Sequence, residues 1–252
     1  MIELDRVTMA YDRTPVVKDV SLTLPDTGIT ALIGANGAGK STLLSGIGRL
    51  LPLVSGRVIV DQRDLADWKP KDLAKQIAIL RQENHLSLRL SVAELVALGR
   101  HPHSGGRISE ADEVAIAGAI EAVDMTEYVS RFLDELSGGQ RQRAFIAMTL
   151  AQDAHYLLLD EPLAALDLHH AREMMRHLRK ICDQRGLSGV IVLHDINTAA
   201  TYADHLIALR DGEVVASGTP VEVMTPKTLK DIFAVETKVL QVDGRPVAIT
   251  AP

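Results

Sequence analysis

The sequence predicts an α/β fold with a mixed sheet, an antiparallel β region at the start of the chain and an inserted helical lobe. Three observations predict it. A short apolar run from Gly28 to Ile33 stops at the glycine-rich stretch Gly34–Thr42, and helical spacing through Leu43, Leu44 and Ile47 follows. Strand-like texture then vanishes from about Gln82 to Gln152. It returns at His155–Leu159, and strand and helix patterns alternate from there.

In order, residues 2–7 and 16–24 read as strands joined around Tyr11-Asp12-Arg13. Gly28–Ile33 is a buried strand, and a helix from Lys40 runs to near Pro52. Gly56–Val60 and Ile77–Leu80 are further strands. Ser91 caps a helix with Glu94 at the third following position, a capping box, and Ser109–Val123 reads as a second helix with a serine start. Ser137-Gly138-Gly139 opens a third helix, with Ala144, Ala147, Met148 and Ala151 on one face. Strand 155–159, helix 168–185, strand 189–193, a helix from Ile196 and strand 206–209 follow. Asp211-Gly212 is a hairpin turn into Glu213-Val214-Val215, and Pro220 and Pro226 each precede a short helix. The organisation expected is one domain over 1–252. Its core is 1–82 and 153–235, its helical lobe 83–152 and its short C-terminal tail 236–252.

Hydrophobic residues make up 46% of the 252, enough for a full core, while aromatics are only 3%. That core is therefore aliphatic, as in buried parallel sheets. A net charge of -6 without a basic tract argues against nucleic acid as a partner. The single cysteine, Cys182, excludes an intrachain disulfide, suits a reducing cytosol and reads as a small buried residue on a helix. Met1-Ile2-Glu3-Leu4-Asp5 is too charged for a leader, and no stretch of about 18 apolar residues is long enough to span a bilayer.

The chemistry is concentrated in a few short motifs. Gly34-Ala35-Asn36-Gly37-Ala38-Gly39-Lys40-Ser41-Thr42 fits G-x-x-x-x-G-K-[ST], a phosphate cradle. Gly34, Gly37 and Gly39 let backbone N–H groups turn towards phosphate, and the helix from Lys40 adds its positive end. Lys40 supplies a mobile charge for the β- and γ-phosphates, and Ser41 a hydroxyl for Mg²⁺. Tyr156-Leu157-Leu158-Leu159-Asp160-Glu161 is an apolar strand ending in two carboxylates. Carboxylates there are costly unless a cation is near, so Asp160 reads as a Mg²⁺ ligand and Glu161 as the base for an attacking water. His194 ends the strand 189–193, where it can sense a γ-phosphate. Gln82 stands at the junction of sheet and lobe, where an amide can touch metal or water. Ser137-Gly138-Gly139 is a second anion-binding helix start. Two such starts for one triphosphate imply a second copy, head to tail, that completes the site.

With these motifs in hand, the chain resembles the ATP-binding subunit of ABC transporters over essentially its full length. The resemblance implies a P-loop ATPase core, with residues 34–42 as the Walker A motif and Gln82 as the Q-loop. Leu136-Ser137-Gly138-Gly139-Gln140 is then the signature, Asp160 and Glu161 the Walker B end and catalytic base, and His194 the switch histidine. Ala165-Leu166-Asp167 resembles the D-loop, preceded by Leu163-Ala164 where Thr-Ser or Ser is frequent, and Tyr11 falls where the family stacks an aromatic on adenine. The implied ligands are ATP and Mg²⁺, bound by a homodimer. The implied partners are transmembrane permease subunits and, indirectly, a substrate-binding protein, with the chain peripheral at the cytoplasmic face of the inner (plasma) membrane. Ser91 to Pro102 resembles the segment of importers of ferric siderophores, haem and cobalamin, and Arg81-Gln82-Glu83-Asn84-His85 most resembles catecholate and petrobactin-type members. Alternatives are a haem or cobalamin importer, and a soluble ABC-type ATPase of iron–sulfur assembly. His101 and His103 read as part of a loop facing a permease or solvent, not as a metal site.

Overall fold

A computed structural model describes residues 1–12, 14–82 and 88–250; the readings placed on Arg13 and on Glu83-Asn84-His85 lie outside them. In chain order the elements are β1 (Ile2–Tyr11), β2 (Thr14–Leu24), β3 (Gly28–Ile33), α1 (Lys40–Ile47), β4 (Leu53–Val60) and β5 (Arg63–Asp64). Next come α2 (Pro70–Leu73), β6 (Ile77–Leu80), α3 (Val92–Leu98), α4 (His101–Ser104), α5 (Glu110–Glu121), α6 (Gly138–Ala151), β7 (Tyr156–Asp160) and α7 (Leu168–Arg185). The chain closes with β8 (Ser188–Val192), α8 (Ile196–Tyr202), β9 (His205–Arg210), β10 (Glu213–Gly218), α9 (Pro220–Val223), α10 (Pro226–Phe233), β11 (Thr237–Val242) and β12 (Arg245–Thr250). Two compact units result, one of residues 1–68 with 188–252 and one of residues 69–187.

In the first unit β2, β1, β4 and β5 form an antiparallel sheet in that order. β1 outruns the expected 2–7 because a bulge absorbs Arg6 (φ 49) and alternation then resumes, with Val7 and Met9 both at 0% exposure. β3 lies between β9 and β8, parallel to both, and β10 pairs antiparallel with β9. The β3–β8 register starts at Gly28↔Ser188, and the Ser188 hydroxyl donates to Pro25 O at 2.7 Å. α1 stops well short of Pro52, because Gly48 caps it and Arg49 turns left-handed (φ 58). The presumed tail carries a hairpin, β11 and β12, turned at Asp243-Gly244.

In the second unit β6 and β7 are parallel, from Ile77↔Tyr156 to Leu80↔Leu159. α3, α5 and α6 bury Leu95, Val96, Ile120, Phe145 and Ile146. Each of the three begins with a capping box, Ser91 with Glu94, Ser109 with Asp112 and Ser137 with Gln140. A buried ion pair joins Arg100 Nε to Asp112 at 2.8 Å, and Arg100 Nη1 also donates to Ala151 O at 2.8 Å. The segment expected as a loop around His101 and His103 is the short helix α4, with Pro102 in its first turn. His103 Nε2 bonds Gln152 O at 2.9 Å, and the Gln152 amide bonds Ala74 O and Ile77 O. Cys182 is buried on α7 beside Leu178 and Ile181.

Candidate nucleotide-binding site

The phosphate-loop sequence sits in the first unit, at the C-terminal end of β3, whose residues from Ile29 to Ile33 are all buried. Gly34 has φ 150, and a Cβ there would stand 2.3 Å from Leu209 O. Only glycine fits. Ala35, Asn36 and Gly37 are exposed at the loop's crest, while Ala38 and Gly39 return to the interior. Gly37 has φ 79 with nothing near its missing Cβ, so that position demands glycine for its backbone alone.

Gly39 ends the loop in a left-handed conformation as the N-cap of α1, and no side chain caps the helix. The positive end of the α1 dipole therefore lies at the loop. Lys40 is only 5% exposed, and its ammonium donates to Gly34 O at 2.8 Å and Ala35 O at 2.9 Å. The lysine thus folds over its own loop and holds a positive charge there. Ser41 and Thr42 follow in the first turn, Thr42 buried. Helix end and ammonium together give the loop a positive character of the kind an anion site needs.

Leu193 N donates to Leu32 O at 3.2 Å, so β8 ends alongside β3 and delivers His194 at the same edge as Gly34. His194 is exposed there. Asp195 caps α8 directly after it, accepting from Asn197 N and Thr198 N. Tyr11 ends β1 opposite Thr14 and is 52% exposed.

The second unit holds Gln82, residues 136–140, Asp160, Glu161 and Asp167. β7 is buried throughout and ends in Asp160, 6% exposed. Glu161 follows in a left-handed backbone conformation (φ 48). Strain of this kind gathers at functional positions. Gln82, just past β6, donates its Nε2–H to Glu161 Oε2 at 3.0 Å. A predicted amide and a predicted base are thus in direct contact.

Ser137 is the N-cap of α6, its hydroxyl accepting from Gln140 N at 3.2 Å while Gln140 Oε1 accepts from Ser137 N at 3.0 Å. A Cβ on Gly139 would lie 3.1 Å from Leu166 Cδ2 and 3.3 Å from Ala165 O. The Ser137-Gly138-Gly139 turn therefore rests on the segment 165–166. Asp167 begins α7, accepting from His170 N at 2.9 Å and contacting His170 Nδ1 at 2.8 Å. The hydrogen bond from the His170 backbone, then that from its ring, hold the Asp167 carboxyl below the usual range. Sequence reading missed the Arg100–Asp112 pair, 12 positions apart, and the Gln152 amide, 78 positions from Ala74, because neither spacing matches a helix or strand period.

Known proteins resemble the chain over nearly its whole length. The family model described as ABC transporter matches residues 17–164. The petrobactin import ATP-binding protein FatE of Bacillus anthracis is 46% identical, over 99% of this chain and 100% of its own length. The ferric enterobactin transport ATP-binding protein FepC of Escherichia coli (strain K12) is 38% identical, over 98% of this chain and 94% of its own. A solved dimeric ATP-binding cassette in a post-hydrolysis state, bound to ADP and Pi, superimposes with a TM-score of 0.78. It shares 30% identity over 87% of this chain and 98% of its own. By this family match and these full-length relatives, the chain belongs to the ABC transporter family as an ATP-binding subunit.

Proposed function

We propose that the chain hydrolyses ATP to drive a membrane permease that imports a ferric siderophore. The contact between the Gln82 amide and the Glu161 carboxylate carries the hydrolytic part of this reading. It fixes the carboxylate next to the buried Asp160, with an amide able to hand it over to water. The cargo rests on the relatives, whose names cover petrobactin and ferric enterobactin. Two different iron chelators support the class more strongly than either single compound.

Residue by residue, the loop amides of Gly34 to Gly39 and the Lys40 ammonium bind the β- and γ-phosphates. Asn36, Ala38 and Thr42 complete that loop, and Tyr11 offers its exposed ring to the adenine. Glu161 takes a proton from the attacking water, and His194 hydrogen-bonds the γ-phosphate. Ser41, Asp160 and Gln82 suit Mg²⁺, being a hydroxyl, a carboxylate and an amide oxygen, all hard donors. When bound, Mg²⁺ offsets phosphate charge. Ser137, Gly138, Gly139 and Gln140 serve the nucleotide of a second copy, and Asp167 lies beside that turn's support. No helix among the described residues is long and apolar enough to cross a membrane.

The test is to purify tagged Glu161→Gln protein with ATP from detergent-solubilised membranes and identify what accompanies it. A polytopic permease whose loss abolishes uptake of a ferric siderophore is the expected result. A soluble scaffold and no membrane protein would overturn the importer reading.

A further inference from the structure

We infer that Asn197 is a positioning residue for His194, and that it acts by gripping the C-terminal hairpin. The inference rests on the reading of His194 given above. α8 has seven residues, too few to persist without tertiary support. Only Ala199 and Ala200 within it are buried, so little apolar area holds it down. Its two ends are secured differently. At the C-terminal end, Asp204 N donates to Ile29 O and Asp204 Oδ2 accepts from Ile29 N, each at 2.8 Å, a reciprocal tie to β3. At the N-terminal end, where His194 enters, the tie runs to the hairpin. Asn197 Nδ2 donates to Ala248 O at 3.0 Å and Asn197 Oδ1 accepts from Ala248 N at 2.8 Å.

The asparagine amide thus pairs with one residue of β12 as a neighbouring strand would. Ala248 and Pro246 are the buried positions of β12, facing inward while Arg245 and Ile249 are exposed. Asp195 links this grip to the histidine. Its carboxylate accepts from Asn197 N at 3.3 Å and Thr198 N at 2.8 Å, so the residue that follows His194 is tied to the first turn of α8. If the hairpin lets go, the first turn of α8 loses its outer support, and with it one constraint on the direction of the His194 ring. The ring acts on a phosphate that other groups bind, so the loss falls on turnover and not on ATP affinity.

The full-length protein is assayed for ATP hydrolysis as wild type, Asn197→Ala, Ala248→Pro and His194→Ala. Ala248→Pro removes the N–H that Asn197 holds and spares the β11 ladder, since the N–H and C=O of Ala248 both go to Asn197. Asn197→Ala and Ala248→Pro are each expected to lower kcat on the order of tenfold with KM for ATP unchanged. In the His194→Ala background Asn197→Ala is expected to add nothing, because both act through one ring. Wild-type kcat for Asn197→Ala, or effects that multiply with His194→Ala, would overturn the positioning role. Wild-type kcat for His194→Ala itself would overturn the reading of His194, and the clamp with it.

Discussion

The side-chain amide of Gln82 donates to the Glu161 carboxylate at 3.0 Å, joining two residues 79 positions apart in sequence. A carboxylate oxygen so engaged is withheld from water. Gln82 and the nucleophile therefore compete for Glu161, and whatever moves Gln82 governs when the base is released.

Glu161→Gln keeps the size of the side chain and removes its basicity. ATP binding should persist, while phosphate release at saturating ATP should fall by roughly 10²–10⁴-fold. Gln82→Glu would set two carboxylates within about 3 Å and raise the pKa of the pair. The acidic limb of the pH–rate profile should then move to higher pH.

Lys40→Ala removes a charge that spans the loop as well as one that meets phosphate. A charge-assisted hydrogen bond contributes roughly 1.5–3 kcal/mol, so ATP affinity should weaken by about ten- to a hundredfold or more. Equilibrium titration with a fluorescent ATP analogue reads this directly.

Two glycines of the loop should respond differently to alanine. At Gly34 the new methyl would meet Leu209 O at 2.3 Å, a backbone atom that cannot swing away. At Gly37 the space is open and only a left-handed backbone is required. Gly37→Ala should cost about 1–2 kcal/mol, and Gly34→Ala distinctly more, in urea unfolding.

The carboxyl of Asp112 is held down to about 2, first by the Ser109 backbone N–H, then by the Ser109 hydroxyl and Arg100. A depressed folded-state value means its stabilisation is whole above about pH 4 and is lost as pH falls towards 2. The difference in thermal midpoint between wild type and Asp112→Asn should shrink over that interval. At neutral pH, Arg100→Leu with Asp112→Leu should be more stable than either single change, because each single change strands a buried partner.

Local pattern made much of the fold legible. Ser91-Glu94 announced α3, and Asp211-Gly212 announced the turn between β9 and β10. The same turn chemistry at Asp243-Gly244 could have revealed β11 and β12. Most side chains of β11 remain exposed, so no strong alternation drew attention to it. The phosphate loop was legible because its glycines and lysine are consecutive. The grip of Asn197 on Ala248 and the contact of Gln82 with Glu161 were not, because such bonds join residues that only the folded backbone brings together.

The pairing of β3 with β8 sets an order of events during synthesis. Ser188 reaches back to Pro25 over 163 positions, whereas the second unit is one continuous stretch of chain. At roughly 5–20 residues per second, β3 emerges from the ribosome about 10–30 s before β8 exists to cover its edge. Through that interval the apolar run Ile29–Ile33 lacks both strands that pair with it, β8 and β9. Slower translation between residues 69 and 187 should prolong this exposure, so yield of folded protein depends on the pace at which the ribosome crosses the second unit.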